Sequence, residues 1–261
     1  MRAVLLAFTL GLVAAPVWAG RCGSDVDGHG AVVPCACGDV LVSSHTLSPA
    51  DPITHQPCVG EGLLVAIPAA SQGATLAFGG QALSGSMQGV GLHIVSGGQG
   101  GLTVTGPGAI GGFDTGVTAR RGSLAALTGL LAIGNAADGF ALDGDGFALR
   151  SSAANRNGRD GFVLRGAGFR LEDTHAEQNG RYGFAVTGHG AVIAPGNIAM
   201  GNGRDGFMIR GQDVTVTEPT ATANAGRGVR AQITRGALRD PRVADNGEDR
   251  IPRCTRQGSC R

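Results

Sequence analysis

Asn157-Gly158-Arg159-Asp160-Gly161-Phe162 returns as Asn179-Gly180-Arg181-Tyr182-Gly183-Phe184 and again as Asn202-Gly203-Arg204-Asp205-Gly206-Phe207, so the chain repeats itself every 22 or 23 residues. Weaker copies pair Asn135 with Phe140, Asn224 with Val229 and Asn246 with Ile251 at the same step. A period of this size marks a solenoid, in which each unit buries its apolar face only against its neighbours.

Within a unit, two short apolar segments alternate with the period of a half-buried strand. In the clearest unit they are Phe162-Val163-Leu164-Arg165 and Phe169-Arg170-Leu171-Glu172, with Phe162, Leu164, Phe169 and Leu171 pointing inward. Small or glycine-bearing corners separate them, as in Gly166-Ala167-Gly168 and Gly188-His189-Gly190. The 47 glycines exclude helical repeats, since each costs roughly 1 kcal/mol in a helix interior. A leucine-rich repeat has a similar period, but it needs four closely spaced leucines before its Asn, which these units lack. The reading that remains is all-β: a parallel β-helix of about 22-residue coils stacked at strand spacing. The Asn positions 135, 157, 179, 202, 224 and 246 then form an amide ladder that satisfies buried backbone at a turn.

The ends differ from the middle. Residues 1–19 carry Arg2, an apolar stretch over 3–15 and Val17-Trp18-Ala19, the pattern of a secretory signal peptide and too short for a membrane span. Residues 20–62 hold Cys22, Cys35, Cys37 and Cys58 and read as a cap with the opening coil; 63–251 are the β-helix; 252–261 form a tail with Cys254 and Cys260. Six cysteines in an exported chain count as three disulfides, with Cys37–Cys58 and Cys254–Cys260 the preferred pairs, although spacing alone leaves all fifteen connectivities open. A metal site is disfavoured, because Cys35-Ala36-Cys37 has one intervening residue instead of two to four.

Every basic residue is Arg. Residues 21–119 hold one Arg against six acids, and residues 120–261 hold nineteen against fourteen. Acids dilute this basic half and aromatics are sparse, which argues against nucleic acid as a partner.

The repeat, the opening Cys37-Gly38-Asp39-Val40-Leu41-Val42 and the string Gly108-Ala109-Ile110-Gly111-Gly112-Phe113-Asp114-Thr115-Gly116-Val117 resemble the right-handed parallel β-helix proteins of the pectin-lyase-like superfamily. That resemblance implies a right-handed solenoid and, in its enzymes, action on acidic polysaccharides. Their motifs are incomplete here. Gly188-His189-Gly190 matches one polygalacturonase element, but there is no Asp-Asp pair and no Lys. Tyr182-Gly183-Phe184 begins the alginate epimerase string, and Ala185-Val186 stand where its chemistry-bearing residues would be. Calcium would be needed only by a lyase.

Asp143, Asp145, Arg165 and His189 are the nearest to a catalytic set, two carboxyls at a defined separation being what glycoside cleavage requires. Counting from the Phe column places Asp143, Arg165, Thr187, Arg210 and Gln232 at equivalent outward positions, where arginines could grip carboxylates. An exposed Asp143–Arg165 contact worth little is the competing account.

The reading favoured is therefore an exported structural or carbohydrate-binding solenoid, secreted or periplasmic. Its face of Arg159, Arg165, Arg181, Tyr182, Arg204 and Arg210 would meet an acidic polysaccharide or cell-envelope glycan. A polysaccharide lyase, hydrolase or epimerase is the alternative, and a surface adhesin or envelope spacer the third.

Overall fold

The computed structural model describes residues 20–120, 124–255 and 258–260; the expected signal peptide, residues 1–19, lies outside them. The chain winds as a parallel β-helix, and no α-helix occurs among the described residues. One ten-stranded sheet starts at Arg21–Cys22 and Val40–Leu41 and passes through Leu63–Ile67, Val90–Gly97, Thr115–Ala119, Phe140–Asp143, Phe162–Ala167, Phe184–His189 and Phe207–Gln212 to Val229–Thr234. The opening cysteine-rich residues thus supply the first rungs of the solenoid. A fifteen-stranded sheet makes up the other two sides. The strands Leu102–Gly111 and Leu124–Ile133 pair with strands on both of those sides and join them into one sheet.

Each regular coil has three strands where the sequence pattern gives two. Phe162–Ala167 and Arg170–Glu172 are the expected pair, and His175–Glu177 is the third, in register with Ala153–Asn155 and Ile198–Met200. This third side turns one small residue inward per coil: Ala154, Ala176, Ala199 and Ala221 are fully buried. A lone inward alanine produces no alternation over several positions, so the period-two signal is absent.

The core is a set of columns along the axis. Phe140, Phe162, Phe184 and Phe207 stack with centroids 4.9, 4.9 and 4.7 Å apart and nearly parallel planes. Phe147 and Phe169 do the same at 5.2 Å. The rise between strands is also about 4.8 Å, so identical rings on successive coils meet face to face. Ile251 was expected to extend the Phe140-to-Val229 column and does not: it is 44% exposed and outside any strand. Pro252 follows it and lacks the N–H a further rung would need.

The Asn ladder explains the repeated motif. Asn157 Nδ2 donates to Asn179 Oδ1 at 2.9 Å and the Asn157 N–H donates to the same oxygen at 3.1 Å. The pattern repeats at Asn135, Asn179, Asn202 and Asn224. At the front the ladder accepts from the Phe113 N–H, and at the back Asn246 donates to Asp249 Oδ1. The glycine before each Phe lies against this ladder: a Cβ on Gly161 would come within 2.7 Å of Gly183 O and 2.8 Å of Asn179 Nδ2.

The turn before each Asn needs a left-handed residue, and the chain uses several kinds there. Arg156, Gln178, Gly201 and Ala223 have φ of 55°, 54°, 64° and 54°. A side chain in this conformation costs about 1 kcal/mol or more. A Cβ on Gly201 would meet nothing closer than Gln178 Cγ at 3.6 Å, so the site isolates the backbone effect. Gly201→Ala is expected to destabilise by about 1 kcal/mol, and Ala223→Gly to change stability in the opposite sense by about 0.5 kcal/mol, its entropy cost offsetting part of the relief. Denaturant midpoints of the two variants check this.

Three disulfides secure the ends: Cys22–Cys35, Cys37–Cys58 and Cys254–Cys260. At the back, Cys260 and Ile233 exchange backbone hydrogen bonds at 2.9 and 3.1 Å, so the tail covers an end that would otherwise expose unpaired groups.

Candidate functional site

The outer face of the ten-stranded sheet carries the outward residues of the Phe-bearing strands. Register pairs Asp143 with Arg165, Arg165 with Thr187, Thr187 with Arg210 and Arg210 with Gln232, one column along the axis. Arg165, Thr187, Arg210 and Gln232 are exposed. The neighbouring outward column is Ala141, Val163, Ala185, Met208 and Arg230. Val163 and Ala185 point away from the core yet are only 8% exposed, so the face is recessed along this column. The result is a shallow trough with small apolar residues on its floor.

The opposite wall comes from the loop residues of the repeat. Asp160 and Asp205 are buried, and each carboxylate accepts a backbone N–H from the next coil: Tyr182 N–H at 3.0 Å and Arg227 N–H at 2.9 Å. Arginines cover these acids, Arg181 Nε at 3.6 Å from Asp160 and Arg230 Nε at 2.8 Å from Asp205 Oδ2, with Arg230 Nη2 donating to Asp205 Oδ1 at 3.4 Å. Arg159 stands 3.9 Å from Asp138. Burial pushes the Asp138 carboxyl above its ordinary pKa and the Asp160 charge adds to this, while the hydrogen bond from Asp160 N–H and the charges of Arg159 and Arg181 oppose it. Tyr182 replaces the Asp of this column, and its ring lies under two guanidiniums, Arg181 at 5.3 Å and Arg204 at 5.9 Å.

A recess lies at each end of the column from Ala141 to Arg230. One recess, of about 600 Å³, is lined by His93, Thr118, Arg120, Ala141 and Asp143. Thr118 Oγ1 is buried there with no hydrogen-bond partner. The other, about 380 Å³, is lined by Arg227, Arg230, Gln232 and Arg250.

The sequence-derived catalytic candidates are divided by this geometry. Asp143 and Arg165 lie side by side on the face. Asp145 lies at the following corner, where its Oδ1 accepts the Ala167 N–H at 2.6 Å. His189 ends its strand in register with Ala167, largely exposed, 3.7 Å from Asp213. Asp145 therefore braces a corner, and His189 stands at the edge of the outer face, two residues beyond Thr187 and one outward column away from Asp143 and Arg165. Of the six glycan-binding candidates, Arg165 and Arg210 share one outward column of the strand face, and Arg159, Arg181, Tyr182 and Arg204 lie in the repeat loops, where Arg181 and Arg204 flank the Tyr182 ring.

His45 and Asp51 escaped the sequence reading. His45 Nε2 lies 2.7 Å from Asp51 Oδ1, and both side chains are buried. They are six positions apart in a segment with no repeat, so no spacing rule brings them together. Burial disfavours ionisation of Asp51, but hydrogen bonds from the Cys35 N–H, His45 and the Ser48 N–H outweigh it and hold the carboxyl below its usual pKa. Cys35, His45 and Asp51 present possible ligand atoms within 4.8 Å of one another, the one such group among the described residues, but the Cys35 sulfur is bonded to Cys22. No thiolate is left there for a metal.

Among the described residues, no helix is long and apolar enough to cross a membrane. No curated protein and no solved structure matches the chain. A family model described as the right handed beta helix region matches residues 114–251, more than half of the sequence and the part that holds the trough. With its repeat, its coils and that match, the chain belongs to the right-handed β-helix family, and a pectin-lyase-like superfamily membership is implied.

Proposed function

We propose that this is an exported β-helix that binds an acidic polysaccharide or cell-envelope glycan along the trough of the ten-stranded sheet. The observation that carries the reading is the column of Arg165 and Arg210, exposed and two coils apart, roughly 9.6 Å along a straight axis. Neither forms an ion pair with a carboxylate among the described residues, whereas Arg181, Arg227 and Arg230 do. Two guanidiniums in line, over a floor of small apolar side chains, match a polymer that carries a carboxylate on each ring. Arg159, Arg204 and the Arg-flanked ring of Tyr182 offer contacts along the other wall. Three disulfides fit the oxidising compartment that export implies, secreted or periplasmic.

Binding to alginate and to polygalacturonate, measured by calorimetry or affinity electrophoresis, tests this. Arg165→Ala and Arg210→Ala are each expected to weaken binding about tenfold, the value of one charge-assisted hydrogen bond, with the loss shrinking as salt is raised. Binding unchanged in the double variant would remove this face from consideration. New reducing ends or unsaturated products in the same mixtures, with or without calcium, would show that the trough also cuts.

A further inference from the structure

We propose that Ser24, His45 and Asp51 form a nucleophilic relay at the front of the solenoid, and that Ser24 Oγ accepts the acyl group of a small ester bound in the recess beside it. None of the residues of the glycan face takes part.

The relay begins at Asp51. Its Oδ1 receives the Cys35 N–H at 2.7 Å and His45 Nε2 at 2.7 Å; its Oδ2 receives the Ser48 N–H at 2.8 Å and the Ser48 hydroxyl at 3.1 Å. An ionised carboxylate only accepts, so the His45 proton sits on Nε2 and Nδ1 presents a lone pair. Ser24 Oγ lies 3.3 Å from that Nδ1. This is the order of a hydroxyl, a base and a carboxylate that orients the base, with the imidazole turned so that Nδ1 faces the hydroxyl. A contact of this length is ordinary for such a pair before substrate binds.

The pieces are rigidly placed. Gly23 and Val33 exchange both backbone hydrogen bonds, the Ser24 N–H donates to Ser44 O at 2.9 Å, and Cys22–Cys35 ties the strand before Ser24 to the residue that holds Asp51. His45 and Asp51 are almost fully buried while Ser24 is exposed. The exposed member is the one that faces the recess. That recess, about 540 Å³, is lined by Ser24, Arg21, Val42, Ser43, Ser44 and Ile67 among others. Its volume suits a short acyl chain, Val42 and Ile67 give that chain an apolar wall, and Arg21 lines it as the one cation among the described residues, beside the carboxylates of Asp25 and Asp27. A purely structural cluster accounts for the bonds around Asp51, but it gives no reason for a buried imidazole to aim its free lone pair at a solvent-facing hydroxyl.

In the reaction Ser24 Oγ bonds to the ester carbonyl carbon as its proton passes to His45 Nδ1. The carbon–alkoxy bond then breaks, and the leaving alcohol takes the proton from Nδ1. Water, deprotonated by the same nitrogen, attacks acyl-Ser24; the carboxylic acid leaves and the proton returns to Ser24 Oγ.

The test uses the disulfide-intact protein and a fluorophosphonate probe, with p-nitrophenyl acetate and butyrate as substrates. One adduct mapping to Ser24, with ester hydrolysis above buffer, is the expected result. Ser24→Ala, which alters an exposed side chain, should keep the melting temperature and lose both signals, and His45→Gln should slow labelling about 100-fold or more. The proposal is overturned by no adduct under conditions that fully label a serine esterase, by an adduct at another residue, or by undiminished labelling in a folded His45→Gln. Should that variant fail to fold, the site of the adduct and its fate in Ser24→Ala still decide.

Discussion

Asn179→Ala is expected to lower the unfolding free energy by about 4 kcal/mol, read from urea denaturation followed by circular dichroism. The amide is fully buried and makes four bonds through its side chain. Its Oδ1 accepts the Asn157 N–H at 3.1 Å and Asn157 Nδ2 at 2.9 Å; its Nδ2 donates to Asn202 Oδ1 at 3.0 Å and to Ala154 O at 2.9 Å. Truncation leaves two buried donors unpaired and strips partners from two buried oxygens, each at a cost of about 1 kcal/mol or more. Position along the ladder should matter. Asn246 is half-buried at its end and bonds to Asp249, so water can replace what Asn246→Ala removes, and a loss of about half that size is expected. Equal losses at the two positions would mean that the amides act through local turn formation and not as a buried array.

Phe184→Ala should destabilise the protein by about 4 kcal/mol, whereas Phe184→Leu should cost about 1.5 kcal/mol. The ring is fully buried between Phe162 at 4.9 Å and Phe207 at 4.7 Å. Alanine would leave a void between two rings that cannot close it, because each is held by its own rung of the parallel sheet. Leucine fills most of that space and loses the ring-on-ring component, worth roughly 1 kcal/mol. A Phe184→Ala loss below about 1.5 kcal/mol would indicate that coils shift to collapse the gap, and that the column is softer than its spacing implies.

These two positions were legible in the sequence because they sit on a fixed count. Each Asn lies five residues before its apolar partner, and each coil returns to the same place, so a side chain's neighbours above and below are read by adding the period. The outward column from Asp143 to Gln232 follows from the same count, as its strand register bears out. Four features were illegible for distinct reasons. The third strand turns only one alanine inward per coil and leaves no alternation. The left-handed corners are occupied by Arg156, Gln178 and Asp173, residues with no strong signature for that conformation. The low exposure of the outward Val163 and Ala185 depends on the side chains around them in three dimensions, which strand alternation does not encode. His45 and Asp51 meet in the one region without a repeat, where two disulfides dictate the path instead.

The closure of the Asn ladder bears on how long such a protein can be. The amides all run in one direction, accepting from the coil in front and donating to the coil behind. The Phe113 N–H supplies a donor where the series begins, and the Asp249 carboxylate an acceptor where it stops. Neither terminator cares how many amides lie between. A segment such as residues 157–178, duplicated in place, would add one donor and one acceptor and leave both ends as they are. Length is thus an adjustable quantity for this chain, and the reach of its outer face can change by whole coils through gain or loss of internal copies.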